Sequence, residues 1–71
     1  MEHFNPARLR RARRRQRLTT NQAAAIVNKD RSAIWRYESG QTDIGISVLL
    51  KLLNAYKASI LDVFDAGSIG G

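Results

Sequence analysis

The stretch Leu18-Thr-Thr-Asn-Gln-Ala-Ala-Ala-Ile-Val-Asn-Lys-Asp-Arg-Ser-Ala-Ile-Trp-Arg-Tyr-Glu-Ser-Gly40 reads as two short helices around a tight turn. Thr19-Thr20 supplies a cap, and Asn21 to Val27 is a short, Ala-rich helix. Its small residues, Ala23 and Ala24, let another helix approach closely. Asn28 breaks it, because Asn tolerates the left-handed conformation that ends helices. Asp30 caps the next helix, Arg31 to Glu38 or Ser39, and Gly40 stops it. On a 3.6-residue wheel Ile34, Tyr37 and Glu38 share one face of this helix. Ser32, Trp35 and Arg36 share the opposite face, with Arg31 beside them in the first turn.

Working outward, Asn5-Pro6 opens an earlier helix, Asn as cap and Pro in the first turn. It runs to Gln16 or Arg17, free of Gly and β-branched residues. Leu9, Ala12, Arg13 and Gln16 lie on its inner side. An arginine there needs an acidic partner if it is buried. Glu38 is an acid on an inner face, so the two are expected to pair. Downstream, residues 41–45 form a loop. A helix from Ile46 to Tyr56 follows, with Ile46, Leu49, Leu52, Leu53 and Tyr56 inward. Ser59 with Asp62 is an acidic variant of the capping box. It opens a fifth helix, Ile60 to Asp65, that brings Val63 and Phe64 to the core. Residues 1–66 are read as one domain and 67–71 as a flexible tail. No strand, repeat or second domain is expected.

The charge is strongly asymmetric. Of 71 residues, twelve are Lys or Arg and six are Asp or Glu, a net charge of +6. Residues 1–36 hold ten of the basic residues and two acids; residues 37–71 hold two basic residues and four acids. Such an imbalance points to a polyanionic partner. A cationic membrane-surface helix is a poor fit, since the first helix has only Leu9 and Ala12 as an apolar face. No apolar run approaches the roughly 18 residues of a membrane span, and no apolar signal region follows the N-terminal charges. The expected location is the cytoplasm. With no cysteine, a single histidine (His3) in a presumed loose N-terminus, and no paired acids on one face, neither an enzyme nor a metal or cofactor site is expected.

The residues from about Leu9 to Phe64 resemble the Cro/phage-repressor (XRE-like) helix-turn-helix family. Leu18, Thr19, Ala24, Ile34, Tyr37, Glu38 and Gly40 match its motif in register. The family also pairs an arginine of the first helix with the glutamate ending the third, which matches Arg13 and Glu38. Ala23 departs from a usual Leu, Asn28 from the turn Gly, and Lys29 from an apolar residue. Thr20 departs from a common Gln, Ile44 from Pro and Lys57 from Gly.

The resemblance implies an all-α, compact five-helix domain of the lambda-repressor-like DNA-binding type. It implies a transcriptional regulator, a repressor by expectation, that binds a palindromic operator in double-stranded DNA as a weak homodimer. Its helix from Arg31 would enter the major groove, placing Arg31, Ser32, Trp35 and Arg36 at base edges. Thr19, Thr20, Asn21, Lys29, Arg10, Arg14 and Arg17 would face phosphates. Val48, Leu50 and Leu61 exceed what the inner stripe needs and are expected at the dimer interface. The same domain would also serve an antitoxin or a restriction–modification controller. An RNA- or protein-interaction module that keeps the fold is the remaining alternative, with no particular protein partner indicated.

Overall fold

The structure is a computed structural model that describes residues 3–65. The tail expected at 67–71 lies outside the described residues. Four α-helices make the body: α1 (Pro6–Arg15), α2 (Thr20–Ile26), α3 (Arg31–Ser39) and α4 (Ile46–Tyr56). A 3-10 turn, Ile60–Val63, follows them. Two short strands, β1 (His3–Phe4) and β2 (Phe64–Asp65), pair antiparallel with Phe4 opposite Phe64.

Each helix starts where a side chain can accept an orphan amide. Asn5 Oδ1 accepts from Ala7 N at 3.0 Å, Thr19 Oγ1 from Gln22 N at 3.1 Å, and Asp30 Oδ1 from Ala33 N at 3.0 Å. Thr19 and Gln22 form a full capping box, since the Gln22 side chain returns to Thr19 N at 2.8 Å. The exception is α4, whose N-cap Gly45 has no side chain to offer.

The four helices end alike. Arg17, Asn28, Gly40 and Lys57 all adopt positive φ, between 56° and 77°. After each, an amide reaches back five residues: Leu18 N to Arg13 O, Lys29 N to Ala24 O, Gln41 N to Arg36 O, Ala58 N to Leu53 O. These are Schellman closures, which satisfy the last carbonyls and turn the chain sharply. Asn28 therefore performs the turn read from the sequence.

The core collects Leu9 and Ala12 from α1, Ala23 and Ala24 from α2, and Ile34 and Tyr37 from α3. From α4 it takes Leu49, Leu52, Leu53 and Tyr56; Val27 and Val63 close it. Ala23, which departs from the usual Leu, is completely buried.

Several expectations need correction. The five-helix count does not hold. Ile60 to Asp65 is a single 3-10 turn followed by β2, because the capped segment is too short to complete two α-helical turns before Phe64 turns extended. Strands do exist, and the N-terminus is ordered from His3. Asn5 N donates to Val63 O at 2.7 Å, and the Phe4 and Phe64 rings meet edge to face at 5.8 Å. Ile46 is 61% exposed rather than inward, since its position in the first turn of α4 has nothing packed over it. Phe64 packs on the core only in part.

Candidate nucleic-acid interface

Arg13 sets the relation of the first three helices. Its Nε donates to Glu38 Oε2 at 2.7 Å and its Nη2 to Glu38 Oε1 at 3.0 Å. Its Nη1 donates to Leu18 O at 2.7 Å, in the turn between α1 and α2. This fork therefore locks α1 to the end of α3 and to the turn that launches α2. Arg13 is only 8% exposed. Its pKa is raised, first by the hydrogen bond it donates to Glu38's carboxylate, against an opposing cost of burial. The pair inferred from two helical wheels is present.

With its inner face fixed by Ile34, Tyr37 and Glu38, α3 must present the opposite face outward. Arg31, Ser32, Trp35 and Arg36 are all exposed there. They line one open groove of about 560 Å³, joined by Thr20 from α2 and Gln41 from the loop after α3. A second depression is lined by Arg10, Arg13, Thr20, Trp35, Glu38 and Ser39. Trp35, 57% exposed, and Thr20 border both, and Arg10 of α1 joins them in the second. Ser39 Oγ donates to Trp35 O at 2.8 Å, closing the last turn of α3 beneath it.

The seven residues expected at phosphates spread around this groove unequally. Thr20 lines it, and Arg10 lines the depression beside it. Thr19 and Asn21 sit exposed at the start of α2, and Lys29 is exposed in the turn before α3. Arg14 lines the outer face of α1 instead, in a depression with Ala7, Arg10, Arg11 and Arg15. Arg17 is exposed at the α1–α2 turn. Gln41 was missed by the sequence reading. Its only signal is that it follows the helix-ending Gly40, which returns the chain toward the open face of α3.

The residues expected at a dimer interface divide as well. Leu50 and Leu61 are 51% and 67% exposed, whereas Val48 is half-buried against the core. Ile46, one turn before Leu50 on α4, adds to the exposed apolar surface. No group of three or more metal-ligating side chains gathers among the described residues. No described helix is long and apolar enough to cross a membrane.

A family model of a helix-turn-helix domain matches residues 7–64. Among solved structures, the restriction-modification controller protein C.AhdI from Aeromonas hydrophila is similar, with a TM-score of 0.74 and 28% sequence identity. The match covers 82% of this chain and 84% of that one. No curated protein matches in sequence. The buried Arg13–Glu38 fork, the capped α2–α3 pair and these matches agree: the chain belongs to the helix-turn-helix family of DNA-binding regulators, of the XRE-like type.

Proposed function

We propose that this protein is a sequence-specific regulator of transcription that binds an inverted-repeat operator in double-stranded DNA as a homodimer and represses from it. The observation that carries this reading is the single groove joining Arg31, Ser32, Trp35 and Arg36 to Thr20 and Gln41. In it α3 enters the major groove. Arg31 and Arg36 each have the fork that pairs with guanine O6 and N7, a contact worth about 1–3 kcal/mol of discrimination. Ser32 donates to or accepts from either base edge, and Trp35 presses on a thymine methyl or a sugar. Thr19, Thr20, Asn21, Lys29, Arg10, Arg14 and Arg17 hold flanking phosphates and set register. Leu50 and Leu61, with Val48 beneath, associate two copies. The two α3 helices then lie one DNA turn, about 34 Å, apart.

Selection from random duplex DNA, at low and near-physiological salt, tests the proposal. The expected result is an inverted repeat with guanine in each half, surviving the higher salt. Enrichment of no sequence at either salt would overturn it. A second reading, control of a restriction–modification system, draws on the likeness to the Aeromonas controller. It keeps the same site and changes only the genes served.

A further inference from the structure

The outer face of α1 is an arginine surface of which the proposed operator site uses Arg10 and Arg14 but neither Arg11 nor Arg15. Arg10, Arg11, Arg14 and Arg15 line a depression of about 520 Å³ there, with only Ala7 between them. The two acids that pair with α1 engage other arginines of the helix. Asp65 takes Arg8 at 2.9 Å and Glu38 takes Arg13 at 2.7 Å. Among the described residues, Arg10, Arg11, Arg14 and Arg15 make no ion pair. Like charges four residues apart destabilise a helix. Arg10 with Arg14 and Arg11 with Arg15 make two such pairs, and α1 has no acid in its first turn to offset them. The macrodipole favours Arg14 and Arg15 in the last turn, but it does nothing for Arg10 and Arg11.

The face is also directed away from α3. Arg10 borders Trp35 and Thr20. At about 100° per residue, Arg14 lies roughly 40° further round the helix, Arg11 roughly 100° and Arg15 roughly 140°. A straight duplex seated on α3 meets Arg10 and leaves Arg11 and Arg15 pointing elsewhere.

We propose that Arg11 and Arg15 form a second phosphate-binding surface, continuous with Arg10 and Arg14, that holds duplex backbone outside the recognition groove, without reading sequence. The proposal deepens the DNA-binding reading and rests on it. Continuity identifies the occupant, since Arg10 belongs both to this surface and to the depression beside the groove. Chemistry agrees. The lining carries four planar forks suited to phosphate oxygens, and its one apolar residue, Ala7, offers no hold for a protein or membrane partner. Duplex DNA presents a charge about every 1.7 Å of its axis, dense enough to engage both rows at once.

The test uses the full chain with Arg31→Ala and Arg36→Ala, which disables the groove, and a random-sequence duplex as probe. Adding Arg11→Ala and Arg15→Ala should lower residual affinity at least tenfold at low salt. The slope of log K against log salt should become shallower by about 2, one counterion for each lost phosphate contact. In the otherwise unmodified chain, the same pair should leave the sequence selected from random DNA unchanged. Both alanines are exposed and favour the helix, so the fold is retained. Unchanged random-duplex binding would overturn the proposal and leave the face to an acidic protein surface or to solvent. If selection enriches no sequence while the Arg11/Arg15 effect persists, the groove reading fails and this one stands.

Discussion

Arg13 carries its charge almost out of water, and its Nε, Nη1 and Nη2 each donate to an oxygen there. Removing its partner undoes that arrangement. Glu38→Ala leaves a buried guanidinium with only Leu18 O, and a broken buried pair typically costs about 3–5 kcal/mol. For a 71-residue domain that is most of the stability, so thermal denaturation should show no cooperative transition or one shifted down by well over 10 °C. An unchanged melting temperature would contradict the role given to the pair. Tyr56 is the opposite case. Its ring is buried, yet its hydroxyl has no hydrogen-bond partner among the described residues. Burial above all, then the nearby Glu38 charge, pushes its pKa above the ordinary value of 10. The folded state therefore holds the phenol proton more tightly than the unfolded chain does. Stability is fully present below pH 10 and declines as pH rises past it, because the unfolded chain releases the proton first. Tyr56→Phe should raise stability at neutral pH by about 1 kcal/mol, seen by thermal melting. It should also flatten the alkaline decline measured between pH 9 and 11.

At the scale of elements, the helix ends carry the least favourable chemistry. Three of the four left-handed closures are made by Arg17, Asn28 and Lys57, residues with a Cβ that crowds the next carbonyl. Lys57 is exposed and has no place in the proposed DNA site. Lys57→Gly should therefore stabilise by about 1 kcal/mol in chemical denaturation, with DNA affinity unchanged. Gly40 admits no such exchange in reverse: φ is +77° and a Cβ would press Pro6 Cγ at 3.4 Å. The helix α3 divides its residues between two jobs. Its inner face holds the core and the ion pair, and its outer face is free for bases. Arg36→Ala should accordingly leave melting unchanged. Operator affinity should fall about tenfold, with relaxed preference at one base position, as read by competition binding. Equal loss on random DNA would reassign Arg36 to phosphate.

The described part of the molecule is closed by its first and last segments. β1 and β2, the Asn5 to Asp65 hydrogen bond at 2.9 Å and the Arg8–Asp65 bridge bring residues sixty positions apart together. The exposed bridge itself is worth little; the sheet and the Phe4–Phe64 contact fix where the 3-10 turn lies. That placement carries Ile60 and Leu61 to the surface near the end of the chain, and Ile46 and Leu50 remain uncovered on α4. Leu61→Glu should thus leave the monomer's melting unchanged and weaken self-association in equilibrium sedimentation. Operator binding should then require about tenfold more protein. A monomer that binds the operator equally well before and after the change would exclude this surface from dimerisation.

Much of this molecule follows from local rules. The caps at Asn5, Thr19 and Asp30, the break at Asn28 and the stop at Gly40 act through atoms a few residues apart, so their spacing suffices to place α1, α2 and α3 within a residue or two, and apolar periodicity places α4. The Arg13–Glu38 pair was legible for a related reason: a charge on an inner stripe demands a counter-charge, and only one inner acid was available. The outward set Arg31, Ser32, Trp35 and Arg36 followed from helical periodicity. What depended on chain segments distant in sequence was not legible. Two-residue strands have no periodicity to read, and they form here because Val63 packs fully against the bundle and aligns Phe64 with Phe4. Ile46 is apolar and in phase with its helix, yet exposure is decided by what packs above it, and nothing does. Gln41 joins the groove only because the closure at Gly40 turns the chain back. Local hydrogen-bond geometry is written in neighbouring residues; which surfaces are covered is set by the folded chain as a whole.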